Sequence, residues 1–171
     1  MLKTNIGWKL TSRHEPDSRL DLANIIPQIL IDLDDLQIAK LKVFDGNSKI
    51  NFGDCFKITR LDNEPPINLP KHVQKKLDGP SLVFEGDLRK VDYIGSKMTT
   101  GKLFIDADVG DYLGFSLSGG YIEINGSTGI QTACEMSGGI LKVLNNVGDY
   151  GGSALPGKIQ GVTGGIILVD G

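Results

Sequence analysis

An internal repeat in the second half of the chain most constrains its fold. A short apolar strand recurs with its last residue at positions 84, 105, 124, 143 and 169, in steps of 21, 19, 19 and 26 residues. The five copies are Leu82-Val83-Phe84, Leu103-Phe104-Ile105, Ile122-Glu123-Ile124, Leu141-Lys142-Val143 and Ile167-Leu168-Val169. The outer two residues of each copy are apolar, and they share one face because side chains alternate along a strand. The middle residue varies, so we expect it to tolerate solvent.

Further columns repeat with the same period. A large apolar residue recurs at Met98, Leu117, Met136 and Leu155, and 20 of the 23 glycines lie from residue 79 onward. One coil of this length cannot bury its own apolar face, so successive coils must stack. The pattern predicts a mainly β fold, a parallel β-helix of about 19–21 residues per coil. The leucine-rich repeat consensus and the six-residue period of a left-handed helix are both missing from the sequence.

The first part of the chain is predicted to be a small mixed α/β segment. Alternating residues indicate short strands at 8–10, 20–22, 49–52 and 55–58, and acidic residues before an apolar run indicate a helix after Asp34. The proline-rich stretch 62–70 has the composition of a linker. We therefore divide the chain into residues 1–78, the α/β segment with its linker, and 79–171, the repeat domain.

Composition excludes several classes of protein. The chain has 18 Lys and Arg against 21 Asp and Glu, a net charge of −3, whereas nucleic-acid binders usually carry a basic patch. Its apolar runs are far shorter than a membrane span requires. The opening Met1-Leu2-Lys3-Thr4 shows no signal peptide, and Cys55 and Cys134 lie 79 positions apart without a disulfide or metal spacing. We expect reduced thiols, a cytoplasmic location, and no nucleic-acid or membrane partner.

Candidate chemistry is sparse. Four carboxylates crowd one region of the repeat: Asp106, Asp108, Asp111 and Glu123. They could serve acid–base catalysis on an exposed sheet, but stabilisation of turns through the local backbone is favoured. His14 and His72 lie outside the repeat and are predicted to be solvated, and Cys134 is predicted to be a buried small residue rather than a nucleophile. We predict no catalytic, cofactor-binding or metal-ligating residue in this chain.

The long last step of the repeat predicts a surface loop. About seven extra residues follow Leu155, and insertions in solenoids map to loops on one face that is often the interaction face. We therefore expect a partner-contact loop formed by Pro156, Gly157, Lys158, Ile159 and Gln160.

Several stretches resemble one protein family. The coils at 101–120 and 120–139, with Val109-Gly110-Asp111-Tyr112-Leu113-Gly114 and Ala133-Cys134-Glu135-Met136-Ser137-Gly138-Gly139, resemble the C subunit of formylmethanofuran dehydrogenase. The stretch Asn146-Val147-Gly148-Asp149-Tyr150 is similar to the gamma (C) subunit of the bacterial formyltransferase/hydrolase complex of methylotrophs, and the opening Gly7-Trp8-Lys9-Leu10-Thr11 is similar to the N-terminal region of the family. The repeat motif is also shared with the C-terminal β-helix domain of glutamate synthase.

This resemblance implies a role rather than an active site. In the family, this subunit is a right-handed β-helix packed against catalytic hydrolase-like and formyltransferase subunits. The bacterial complex moves formyl from tetrahydromethanopterin to a methanofuran-type carrier and releases formate. The resemblance places the carrier and the metal centre in the partner subunits, with no cofactor bound by this chain. The family's helix continues for several more coils, so an end at Gly171 is expected to be truncated, naturally short or covered by a partner.

The resulting hypothesis is a non-catalytic scaffold subunit of a formyltransferase/hydrolase complex in one-carbon metabolism. Two alternatives stay open. One is an orphan glutamate-synthase-like β-helix domain, and the other is a stand-alone β-helix enzyme that uses Asp106, Asp108 and Asp111.

Overall fold

The computed structural model describes residues 6–171, and the fold of this part is mainly β, with a few short helices. The strands are β1 (Gly7–Ser12), β2 (Leu20–Asp21), β3 (Lys42–Asp45), β4 (Ser48–Asn51), β5 (Phe56–Arg60), β6 (Ser81–Glu85), β7 (Val91–Asp92), β8 (Lys102–Asp106), β9 (Tyr121–Ile124), β10 (Ile140–Val143) and β11 (Ile166–Val169). The helices are α1 (Pro27–Leu30), α2 (Asp35–Ala39), α3 (Phe52–Cys55) and α4 (Lys71–Gln74). Met1 to Thr4, on which the expectation of no signal peptide rests, lie outside the described residues.

The five repeat strands predicted from the sequence are confirmed, and they lie side by side. A seven-stranded sheet has the order β11-β10-β9-β8-β6-β1-β5, and the strands from β6 to β11 pair in parallel. The pairing is in register with the repeat, because Leu82 lies beside Leu103, Leu103 beside Ile122, and Ile122 beside Leu141. These four side chains are fully buried. The outer apolar positions of the first four copies therefore form one continuous core, whereas Ile167 and Val169 of β11 are exposed.

The N-terminal segment is built into the same sheet. Strand β1 pairs in parallel with β6 on one side and antiparallel with β5 on the other. A second sheet, β4-β3-β2-β7, likewise joins three N-terminal strands to β7 of the repeat. Leu10 and Leu20 belong to the same apolar cluster as the repeat residues. The division of the chain at residue 78 stays a prediction, and the two parts share both sheets and one core.

The predicted helix after Asp34 is confirmed as α2. Asp34 caps it, because its carboxylate accepts the backbone N–H of Gln37 at 2.8 Å while the Gln37 side chain accepts the N–H of Asp34 at 2.9 Å. The strands expected at 49–52 and 55–58 are correct only in part. Phe52 and Cys55 instead lie in the short helix α3, and both side chains are buried. Alternation alone does not distinguish one helical turn from a strand end at this length.

The proline-rich stretch lies against the outer face of the long sheet. We call residues 62–78 the strap. Its apolar side chains pack against Phe104, Tyr121 and Ile140, and they are Ile67, Leu69, Val73 and Leu77. Phe104 is only 7% exposed, so the expectation that the middle strand position tolerates solvent is wrong there. The strap covers that position of β8, whereas β11, the edge strand of the sheet, is exposed at all four of its residues.

Turns between the parallel strands of the repeat use left-handed backbone at residues that are not glycine. Tyr93, Tyr112, Gln131 and Tyr150 have φ between 55° and 62° and lie 19 residues apart. The N–H of Tyr93 donates to the carbonyl of Asp111 at 2.9 Å, and that of Tyr112 to the carbonyl of Ile130 at 3.0 Å. Left-handed backbone turns these N–H groups toward the following repeat, so hydrogen bonds between repeats offset the conformational cost.

Candidate functional site

The three clustered aspartates are held in hydrogen bonds between repeats. Asp108 accepts the backbone N–H of Ser127 at 2.7 Å, and Asp111 accepts that of Ile130 at 3.0 Å. Asp106 accepts the side-chain amide of Asn125 at 3.1 Å. These contacts support the turn-stabilising interpretation, since carboxylates that accept such bonds are engaged in holding successive coils together.

Asp111 also belongs to a charged group that joins the two halves of the chain. Arg19 forms a two-pronged contact with Asp92, one bond being 2.7 Å long, and lies 3.1 Å from Asp111. Asp92 in turn accepts the backbone N–H of Asp111 at 2.7 Å. The hydrogen bond to Asp92 raises the pKa of the Arg19 guanidinium, so the cation is retained. The arrangement fixes β2 against β7.

Glu123 lies on the outer face of the sheet, where it lines a cleft of about 310 Å³ together with Asp106 and Asn125, whereas Asp108 and Asp111 do not line that cleft. Its carboxylate accepts the hydroxyl of Tyr121 and lies 3.7 Å from the ammonium of Lys142. Burial and the Glu123 hydrogen bond raise the pKa of the Tyr121 hydroxyl, which therefore stays protonated as a donor. The four carboxylates are thus not brought together into one catalytic group.

The histidines and cysteines show no shared site. His14 is exposed, and its ring nitrogen lies 3.1 Å from the carbonyl of Glu15. Cys55 and Cys134 are both buried as free thiols, and burial raises the pKa of each. A raised pKa disfavours the thiolate, which supports the assignment of Cys134 as a packed small residue. Within residues 6–171, no group of three or more His, Cys, Asp or Glu side chains has the geometry of a metal site.

The predicted contact loop leaves the body of the protein between β10 and β11. Its base is held by hydrogen bonds from the N–H of Val162 to the carbonyl of Gly152 at 3.1 Å and from Thr163 to Met136 at 2.8 Å. Gly157 has open space around it, and Ile159 is 99% exposed. The base of the loop is thus fixed by backbone hydrogen bonds, and the apolar side chain of Ile159 near its tip is exposed to solvent.

A cleft of about 520 Å³ lies under this loop. Three of the five predicted contact residues line it, namely Lys158, Ile159 and Gln160, together with Glu135, Gly161 and Thr163. Pro156 and Gly157 do not line it. The Lys158 ammonium lies 3.3 Å from the Glu135 carboxylate. A role for the loop in partner contact stays a prediction. The cleft shows which residues a bound partner would meet beneath the loop.

Sequence reasoning missed Glu135, Arg19 and Asp92. Glu135 occupies a left-handed corner that recurs at Lys97 and Ser116, so the 19-residue period could have placed it beside the loop. Asp92 lies one period before Asp111, so the repeat could have placed the two aspartates in neighbouring repeats. Nothing local indicated Arg19, because its contacts lie 73 and 92 residues away.

Curated proteins of related sequence belong to two kinds of enzyme complex. This chain is 34% identical over 105 residues to the C subunit of molybdenum-containing formylmethanofuran dehydrogenase 1 from Methanothermobacter marburgensis, covering 61% of the chain and 23% of that protein. It is 29% identical over 102 residues to the C subunit of the formyltransferase/hydrolase complex Fhc from Methylorubrum extorquens, covering 59% and 32%. The chain therefore spans between about a quarter and a third of the length of these relatives. No family model matches it.

A solved structure extends the similarity to nearly the whole chain. The crystal structure of the formyltransferase/hydrolase complex FhcABCD from Methylorubrum extorquens, in complex with methylofuran, contains a chain that superposes with a TM-score of 0.79 at 25% identity. The match covers 94% of this chain and 55% of that one. None of the helices within residues 6–171 has the length and the apolar composition of a membrane span. The similarity to glutamate synthase stays a prediction, whereas the predicted resemblance is confirmed: the chain is homologous to the C subunits of formylmethanofuran dehydrogenase and of the formyltransferase/hydrolase complex.

Proposed function

We propose that this chain is a non-catalytic scaffold subunit of a formyltransferase/hydrolase complex in tetrahydromethanopterin-linked one-carbon metabolism. The observation that carries the proposal is the structural match over 94% of the chain to a chain of such a complex. The partners would be hydrolase-like and formyltransferase subunits. The methanofuran-type carrier and the metal centre would belong to those partners, with no cofactor held by this chain.

The fold assigned to the repeat in this proposal is a right-handed parallel β-helix over residues 79–171. Parallel pairing of β6, β8, β9, β10 and β11 supports this fold. Hydrogen bonds between corners about 19 residues apart support it as well. Each coil donates to the next at its strand and at its corners, as stacked coils require. A rigid stack of this kind suits a scaffold, because its outer faces keep a fixed spacing for other subunits.

The stand-alone enzyme is not favoured, because its three candidate aspartates take part in bonds between coils. Asp108 and Asp111 accept backbone N–H groups, and Asp111 also lies against Arg19. A cytoplasmic location is part of the proposal and is supported by the two buried free thiols, which persist in a reducing compartment.

Affinity purification of the tagged full-length protein from its native host, with mass spectrometry of the co-purifying proteins, tests the proposal. We expect a hydrolase-like subunit and a formyltransferase in a fixed ratio. Recovery of the chain alone, monodisperse and stable, would contradict it. Recovery of a flavin and iron–sulfur enzyme instead would favour the glutamate-synthase-like alternative.

Substitution of Asp111 by Asn separates a scaffold from an enzyme. If the partners carry the chemistry, the assembled complex keeps its formyl-transfer activity nearly unchanged. A loss beyond about 100-fold with assembly intact would indicate direct acid–base catalysis by this chain. Assembly is checked by the subunit ratio of the purified complex.

A further inference from the structure

The Glu135 carboxylate is a buried acceptor whose hydrogen bonding is incomplete. Its side chain is only 16% exposed, and its Oε1 atom is buried without a hydrogen bond from any residue between 6 and 171. The Lys158 ammonium lies 3.3 Å away from Oε1 without forming one. Buried polar atoms are normally hydrogen-bonded, whereas this oxygen has only its charge contact with Lys158. Glu135 is therefore prepared to accept a donor from outside the chain.

The corner backbone holds Glu135 in this position. The residue has φ of 57°, and its N–H donates to the carbonyl of Ser153 at 3.2 Å. The N–H groups of Lys97 and Ser116, at the equivalent corners, likewise donate to the next coil, at 2.7 Å and 2.8 Å. These bonds fix the backbone of the corner, and with it the place of the Glu135 Cα beside the loop.

Lys158 is a weak neutraliser of this carboxylate. Its side chain is 62% exposed and lies on the loop beyond Gly157, so water reaches the ammonium end of this ion pair although the Glu135 end is largely buried. A donor supplied by another protein could displace the ammonium at small cost. Ile159, the next residue, is 99% exposed and offers an apolar contact beside the cleft.

We propose that the cleft under the loop receives an arginine side chain of a partner subunit, with Ile159 packed against the apolar surface beside that arginine. The proposal rests on the function proposed above and names the chemistry of one contact within it. A guanidinium carries parallel N–H donors that match a carboxylate, and its charge would neutralise Glu135 once Lys158 moves aside. Ile159 favours a protein over a small cation, since a free cation would leave this side chain in water.

Photo-crosslinking in the native host identifies the occupant. The full-length protein carries p-benzoylphenylalanine in place of Ile159, and crosslinked peptides are sequenced by mass spectrometry. We expect a crosslink to a segment of a co-purifying protein that has an arginine within a few residues. A crosslink between two copies of this chain, a segment without arginine, or no crosslink in the assembled complex would overturn the proposal.

Three variants measure the contact in the purified complex. Glu135→Gln keeps the shape and removes the charge, so we expect the affinity of this chain for its partners to fall about tenfold or more, since bonds to charged groups are the stronger ones. Glu123→Gln is the matched control, because Glu123 is also largely buried but is already bonded to Tyr121 on another face. The affinity of the Glu123→Gln variant for the partner subunits should equal that of the wild type.

The third variant, Lys158→Met, distinguishes a displaced lysine from a contacting one. If arginine replaces the ammonium, this variant binds as well as the wild type or severalfold better. A tenfold loss would mean that Lys158 itself makes the contact and would overturn the proposal. If partners co-purify equally with wild type and Glu135→Gln, only this inference fails. If no partner co-purifies with the wild type, the proposed function fails as well.

Discussion

At the scale of single residues, the glycines of the repeat differ in what an added side chain would meet. Gly120 has φ of 85°, and a Cβ there would lie 2.6 Å from the carbonyl oxygen of Gly101. Gly114 has φ of 66°, but its Cβ would meet only side-chain methyls of Leu141 and Ile122 at 3.6 and 3.7 Å. The first position therefore combines conformational strain with a backbone collision, and the second has the strain alone.

Alanine substitutions at these two glycines should separate the two costs. Gly114→Ala should lower the free energy of unfolding by about 1–2 kcal/mol, the cost of left-handed backbone for an L-residue. Gly120→Ala should cost about 3 kcal/mol or more, because a collision with a fixed carbonyl adds to that strain. Urea unfolding followed by circular dichroism measures both. Equal losses would show that the stack relaxes around the added methyl group.

Asp92 makes a second residue-scale prediction. Asp92→Ala removes the acceptor of the Asp111 N–H and the partner of Arg19, so we expect a loss of about 1.5–3 kcal/mol in unfolding free energy. Asp87→Ala is the control, because Asp87 pairs with the exposed Arg89 two residues along the chain. That variant should unfold like the wild type. A similar loss in both would contradict a specific role for Asp92.

At the scale of elements, the contact between β1 and β6 has a pH-dependent part. Glu85 lies 2.9 Å from Lys9 and accepts the hydroxyl of Thr11 at 3.0 Å, and the Lys9 hydrogen bond lowers the pKa of Glu85. A carboxyl whose pKa is lower in the folded state stabilises the fold above its unfolded pKa of about 4.3. This stability is lost as the pH falls through the lower folded value.

The Glu85→Gln variant should reveal this dependence. Its unfolding free energy should lie below that of the wild type at neutral pH, and the gap should close as the pH falls below about 4. The measurement is chemical denaturation of both proteins across that range. A gap that stays constant with pH would mean that the pair contributes through shape rather than charge.

The strap gives the other element-scale prediction. Phe104→Ser removes the aromatic ring on which the strap packs, so the strap should detach more often from the sheet. Trypsin should then cleave after Lys71, Lys75 and Lys76 at least severalfold faster than in the wild type. Phe44→Ser, at a side chain 47% exposed in β3, is the control and should leave those rates unchanged. Equal acceleration in both variants would show that the strap does not depend on Phe104.

The sequence predicts the elements that depend on local pattern. Alternation placed all five repeat strands, and acidic capping placed α2. Composition could not show that the strap packs on Phe104, because proline-rich stretches have the same signature whether they cover a sheet or cross solvent. The candidate site was also predictable only where it depends on local pattern. The loop followed from the period of the repeat, which could also have placed Glu135 beside it, whereas the contact between Glu135 and Lys158 depends on how the loop folds back and is seen only in the structure.

At the scale of the whole molecule, the place of β1 decides whether the two halves are independent. β1 lies between β5 and β6, so the first strand of the repeat completes its hydrogen bonds only with N-terminal residues. Without β1, β6 would present an unpaired edge, and the fully buried Leu82 and Phe84 would lose part of their cover. A sheet that depends on both halves should fold as one cooperative unit.

Splitting the chain after residue 78 tests this dependence. We expect residues 79–171 expressed alone to lack a cooperative thermal transition, because the edge of β6 and the core beneath it are then open to water. Co-expression with residues 1–78 should restore the transition, since the missing strand can pair again without a covalent link. A cooperative transition in the isolated repeat would instead show that its stacked coils are sufficient, and that the N-terminal segment is an attachment to a folded scaffold.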